Sequence, residues 1–320
     1  MITKPPRTVH LERLSLAYCV LYLGLGQSLI ANGQEPDTTM ETITVTGSRV
    51  PKSETQIGSF TNIDAQTIET RNASNVFELI RDVPGVHVNL PGGRGNLGSI
   101  FIRGSEPNYG AVLVDGIQMN DPTNSRGGSF DFSTLNIDSV ERVEIIRAPQ
   151  SSIYGSDALS GAINLITLSG TETLTAGVDV EVGSRDYSRT GFQLSGPASQ
   201  NGHYALWMGG INEGGSSDPA EFQSHSLTGK YTSSTDDLPR LSAYVRHSSA
   251  DSIAYPDDSG GERLAVNRQK NHRETEDSSL GFDTEMTITQ QTSLHVAGSL
   301  FKHDEQVFSP EVAQGVRTGI

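Results

Sequence analysis

Few residues of the chain could do chemistry, and they do not converge on a reaction. Its 320 residues include one cysteine, Cys19, and 8 histidines. The histidines are scattered, without the spacing of a metal-ligand set. No nucleophile stands in a pattern with a base and an orienting acid. An enzyme is therefore not expected. A literal G-x-G-x-x-G occurs at Gly93, Gly95 and Gly98. In a dinucleotide site the last glycine opens a helix whose N-terminus faces the pyrophosphate. Here Ser99–Arg103, SIFIR, follows and favours a strand. The loop reads instead as a hairpin tip whose backbone can approach a ligand closely. Asp251, Asp257, Asp258 and Glu262 share one long connection and offer the oxygen ligands that calcium takes. A solvated acidic loop accounts for them, and no metal or other cofactor is assigned.

Composition narrows the class further. The formal net charge of −15 argues against a nucleic-acid-binding surface. Hydrophobic content of 34% is low for a water-soluble globule of this length. It suits strands that place only every second side chain in an apolar medium. At the start, Lys4, Arg7 and Arg13 precede the apolar run Leu14–Ile30, and Ala31-Asn32-Gly33 follows. Residues 1–33 are expected to be a secretory signal peptide, cleaved before Gln34. Gly24, Gly26, Gln27 and Ser28 weaken the alternative of a transmembrane anchor. Cys19 falls in the removed segment, so the mature chain is expected to have no thiol and no disulfide.

The elements that must position any site fall into two regimes. Up to Thr167 the pattern is mixed. Asp64 can cap a helix over Ala65–Glu69, and Asn75 with Glu78 opens a second over Val76–Arg81, stopped by Pro84-Gly85. Val86–Val88, Ile100–Gly104, Ala111–Ile117, Val143–Ile146 and Ala162–Ile166 read as short strands. The last four are expected to form one compact unit ending at Thr167.

From Thr171 on, a period of two takes over. Leu174, Ala176, Val178, Val180 and Val182 alternate with polar residues and glycine. The same dyad returns at Phe192 and Leu194, at Leu206 and Met208, at Leu241, Ala243 and Val245, at Leu280 and Phe282, and at Leu294 and Val296. It defines about seven strands of roughly 9–11 residues or slightly more, the length that crosses a tilted bilayer path. Short connections near 197–202, 234–239 and 290–292 alternate with long ones near 212–221 and 251–272. That alternation is the pattern of an outer-membrane barrel.

These stretches, taken as a set and in order, resemble the TonB-dependent outer-membrane receptors, and among them the cobalamin-receptor group. The residues that carry the resemblance are ETITVT at Glu41–Thr46, LIRDVPGVHV at Leu79–Val88, IFIRG at Ile100–Gly104, LVDGIQMN at Leu113–Asn120 and ERVEIIRAPQSSIYGSDALSGAINLIT at Glu141–Thr167. Ala148 departs from the family's usual glycine, for which a local backbone adjustment is expected. The resemblance implies an α+β plug domain, residues 51–168, followed by an antiparallel transmembrane β-barrel. Of a barrel of about 22 strands, residues 169–320 would supply about seven, so the chain reads as an N-terminal portion.

It further implies that residues 34–50 are a periplasmic segment carrying the TonB box, Glu41, Thr42, Ile43, Thr44, Val45 and Thr46. By spacing alone that stretch is an ordinary edge strand; the resemblance makes it a strand lent to TonB, the partner energised by an inner-membrane complex. Arg103 and Arg147 match plug arginines that pair with barrel glutamates. The apical loops Gly92–Gly98 and Asn120–Phe130 would face the ligand, with Arg94, Asn96, Leu97 and Asp121 as contacts. The implied activity is uptake of cobalamin or a ferric siderophore across the outer membrane of a Gram-negative bacterium, the other partner being outer-membrane lipid. The alternative, from another class, is a passive adhesin-like surface protein on a plugged barrel. Such a protein has no use for an accessible ETITVT.

Overall fold

The computed structural model describes residues 59–90, 95, 98–121, 130–199, 201–214, 221–233, 240–254, 270–289, 292–308 and 315–319. Residues 1–33, the expected signal peptide, and the ETITVT stretch, Arg94, Asn96, Leu97, Asp257, Asp258 and Glu262 lie outside them.

The first half folds as an α+β unit. β1 (Phe60–Ile63) leads into α1 (Ala65–Arg71). Asp64 accepts from the Thr67 amide at 2.8 Å, and the helix closes on Asn72 in the left-handed conformation, φ 44°. Both ends thus satisfy amides or carbonyls that the helix leaves open. α2 (Val76–Ile80) follows. The Asn75 side chain caps the Glu78 amide at 3.0 Å, while Glu78 reaches back to the Ser74 amide at 2.8 Å. This is a capping box shifted by one residue on its return arm. Val76, Leu79 and Ile80 are fully buried, so α2 is held by its apolar face.

β2 (Val86–Asn89) and β3 (Ser99–Ile102) form a separate antiparallel hairpin. The remaining strands are β4 (Gly110–Val114), β5 (Ile117–Gln118), β6 (Val140–Ile146) and β7 (Gly161–Thr167). They join β1 in a sheet of order β1-β6-β7-β4-β5, in which only β4 and β7 run parallel. α3 (Ser151–Tyr154) lies in the β6–β7 connection. Ile100–Gly104 belongs to the compact unit with the other three strands without joining their sheet. It pairs with β2 and meets them through packing, Ile102 touching the space beside Gly110 and Gly161. Asp115 and Gly116, at φ 48° and 82°, make the tight β4–β5 turn.

The second half is one antiparallel meander. It runs β8 (Thr175–Val182), β9 (Ser188–Ser199), β10 (Gly202–Glu213), β11 (Glu221–Ser233), β12 (Arg240–Ala254), β13 (Asn271–Thr289), β14 (Thr292–Phe308) and β15 (Gly315–Gly319). Each strand pairs only with its chain neighbours. The eighth strand, beyond the seven expected, has the sequence GVRTG, too short and polar for a dyad to register. Strands of up to 19 residues exceed the roughly 10 that a bilayer path needs.

Polarity in this sheet is inverted relative to a water-soluble one. On one face Leu174, Val180, Val182 and Leu300 are about 70% exposed or more, at 70, 69, 76 and 70%. On the other face Ser248 and Asp277 are 0% exposed and Arg246 4%. The buried polar face is the one that contacts the α+β unit. Apolar-out, polar-in alternation is stable where the outer medium is hydrocarbon. Among the described residues no helix is long and apolar enough to cross a membrane, which says nothing of strands.

Candidate functional site: the seat of the α+β unit against the sheet

Where the two halves meet, cations of the sheet reach carboxylates and carbonyls of the α+β unit. Near one end, Lys230 donates from Nζ to Asp115 Oδ1 at 2.8 Å. Asp115 is oriented for this by the Thr167 hydroxyl, 2.6 Å from its other oxygen. Further along, Arg189 lies 3.4 Å from Asp138 and 3.0 Å from Glu181.

The largest group is buried between β12, β13 and β14 and the segment Phe130–Leu135. Arg246 donates from Nη2 to the Thr134 carbonyl at 2.7 Å, and its Nη1 is 3.7 Å from Asp277. Asp277 accepts from the Thr134 hydroxyl at 2.6 Å and faces His303 Nδ1 at 2.6 Å. On its other side His303 looks at Glu305 and Asp121, 3.6 and 3.9 Å from Nε2. Arg273 spans Asp131 at 2.6 Å and Glu305 at 3.3 Å, and donates to the Gly95 carbonyl at 3.2 Å. Buried charges survive only when paired and hydrogen-bonded in this way.

This places the expected residues as follows. Gly95 does bring its backbone close to a neighbour, but that neighbour is the sheet. Its φ is +88°, and a Cβ there would overlap Ser252. Asp121 is 6% exposed and belongs to the buried network. Arg147 donates to the Ser59 and Thr61 hydroxyls, at 3.0 and 2.7 Å, tying β1 to β6. Burial, and then the positive charge of Arg103, hold its guanidinium below the usual arginine range. Arg103 is exposed, with φ 53° and its amide bonded to Gly85. The two guanidiniums are thus near each other, and no described carboxylate forms an ion pair with either.

The residues that sequence reasoning missed are Arg189, Lys230, Arg246, Arg273, Asp277, His303 and Glu305. Their signal was there: each is charged or titratable at a dyad position opposite the apolar face. On the outer face, Asp251, His272 and Glu274 bring ligand atoms within 4.8 Å of one another. His272 already bridges the two carboxylates, at 3.0 and 3.7 Å, and the group is partly exposed, so no metal is assigned.

The comparisons agree with this architecture. Residues 52–162 match the TonB-dependent Receptor Plug Domain family. The chain is 34% identical over 218 residues to the vitamin B12 transporter BtuB of Vibrio vulnificus strain CMCP6, covering 65% of this chain and 35% of that protein. Against the BtuB of strain YJ016 it is 28% identical over 208 residues, covering 62% and 33%. The chain therefore spans about a third of the length of these curated relatives. Among solved structures, the siderophore receptor PirA of Acinetobacter baumannii superposes with a TM-score of 0.61 at 19% identity, covering 78% of this chain and 40% of that one. A variant of the ferric enterobactin receptor PfeA of Pseudomonas aeruginosa gives 0.58 at 20% identity, covering 81% and 44%. The α+β unit is the plug and the inverted sheet has the fold of barrel wall: residues 52–162 belong to the TonB-dependent receptor plug-domain family, and the strands that follow are similar to the walls of such receptors.

Proposed function

We propose that the receptor containing this chain takes up cobalamin, or else a ferric siderophore, across the outer membrane of a Gram-negative bacterium, driven by TonB. The observation that carries this reading is the plug seated by buried ion pairs against a wall whose other face is apolar. Such a wall needs lipid outside, and such a plug closes the path through it. Sheet edges cannot stay unpaired in hydrocarbon, so β8 and β15 require further strands to close the wall. The 34% identity to a vitamin B12 transporter puts cobalamin first.

In this reading residues 1–33 are a signal peptide, 34–50 a periplasmic segment, 51–168 the plug and 169–320 wall. Arg94, Asn96, Leu97 and Asp121 belong to the ligand end. Arg103 and Arg147 await carboxylates from further wall strands, which fits two neighbouring cations with no described counter-charge.

Glu41–Thr46 is the TonB box. Strand addition depends on main-chain hydrogen bonds more than on side chains. Proline removes a donor and fixes φ, so one proline breaks the ladder. Val45→Pro is expected to abolish uptake of labelled ligand while binding persists, and Thr44→Ser to be nearly silent. Normal uptake by Val45→Pro would refute strand addition. Loss of binding as well would make the segment an integral plug strand.

A further inference from the structure

Two plug stretches far apart in sequence, at Gly95 and at Asp131, end on the same guanidinium. Arg273 is 8% exposed. Its Nη1 donates to the Gly95 carbonyl at 3.2 Å, and its Nη2 to Asp131 at 2.6 Å and to Glu305 at 3.3 Å. Ser252, on the next strand, adds a second hydrogen bond to the Gly95 carbonyl at 3.0 Å. On the plug side the same two stretches meet through aromatic packing. The Phe77 ring fills the space beside Gly98, where a Cβ would overlap it. Phe77 lies 4.9 Å from Phe132, which lies 5.0 Å from Phe130. The stretches are therefore clamped twice, by an apolar stack from within and a cation from the wall.

We propose that Arg273 is a positioning residue that fixes the Gly95 and Asp131 stretches in one register, so that the ligand end of the plug is preorganised by the wall. This rests on the uptake reading above. Gly95 lies within Gly92–Gly98 and Asp131 directly follows Asn120–Phe130, the two segments expected to face the ligand. A planar fork with several fixed donors can hold a carbonyl and a carboxylate at once; an ammonium is a single point charge and cannot impose both directions. Preorganised loops bind with less ordering cost, so loosening them weakens affinity first. Translocation at saturating ligand depends on the TonB side of the plug and should be spared.

The test uses the whole receptor in cells containing TonB, with radiolabelled cyanocobalamin, or ferric enterobactin if cyanocobalamin is not taken up. Arg273→Lys should raise the KM of uptake about tenfold with Vmax retained. Asp131→Asn added to it should cost little more, because both changes cut one clamp. Amide exchange on the purified receptor gives a ligand-free readout. Asp131→Asn should speed exchange at Gly98–Ile100, more than thirty residues away in sequence. A fall in Vmax at constant KM, additive effects of the two changes, or unchanged exchange at Gly98–Ile100 would each overturn the proposal. Absence of saturable uptake by the unaltered receptor would overturn the uptake reading alone, since the exchange result still decides the clamp.

Discussion

Replacing Asp277 by alanine is expected to unseat the plug at a cost of about 3–5 kcal/mol, the range for removing one partner of a buried charge group. Asp277 is 0% exposed and is the common acceptor of the network. It takes the Thr134 hydroxyl at 2.6 Å, faces His303 at 2.6 Å and lies 3.7 Å from Arg246. Alanine leaves Arg246 and His303 facing each other in the same buried space without that counter-charge. Asparagine keeps the shape and one acceptor, so its effect should be intermediate. Replacing Arg246, Asp277 and His303 together by apolar residues of similar volume should cost less than Asp277→Ala, because the two cations that Asp277 neutralises are removed with it. Amide exchange of Phe132–Leu135 against urea, in detergent, reads the outcome. Protection unchanged in Asp277→Ala would mean that the plug is held elsewhere.

Gly161→Ala is expected to cost about 2–4 kcal/mol, by strain and overpacking combined. Gly161 opens β7 at φ +155°, and a Cβ there would overlap the Ile146 carbonyl oxygen and crowd Ile102. The obstacle is backbone in the paired strand β6, which cannot give way without breaking the ladder between β6 and β7. Gly116 supplies the contrast. It also has positive φ, +82°, but nothing lies within 4 Å of a Cβ. Gly116→Ala should therefore cost only the conformational term, about 1–2 kcal/mol. Exchange protection at Val143–Ile146 measures both. Equal losses in the two variants would contradict the close-approach explanation. The single tryptophan, Trp207, is buried in the wall, so its fluorescence reports the wall and serves as a control.

Much of the fold was legible because it rests on local pattern. Alternation at Leu174–Val182 and its repeats predicted the strands and their exposed apolar face, and Asp64 and Asn75 cap the helices expected of them. The partner of β3 was not legible. Ser99–Ile102 shows an apolar strand pattern, but which edge it joins is decided by the hairpin with Val86–Asn89. The seat of the plug was least legible. It joins Gly95, Asp131 and Thr134 to Arg246, Arg273, Asp277 and His303, more than a hundred residues apart, and no local period encodes such pairs. Family resemblance directed attention to Arg103 and Arg147 on the plug, whereas the ion pairs between plug and wall in the described residues draw their arginine and lysine cations from the wall. A charged residue at a dyad position opposite the apolar face is the sign that could have found them, since it must be buried against something polar.

The central claim is energised uptake through a plugged wall. Its most direct measurement is accumulation of radiolabelled cyanocobalamin, with a ferric siderophore in parallel, by cells making the whole receptor, with and without TonB. Surface binding is measured separately in both. The account predicts equal binding in the two strains and accumulation of one of these ligands only where TonB is present. Accumulation independent of TonB, or binding with no accumulation in either strain, would contradict it.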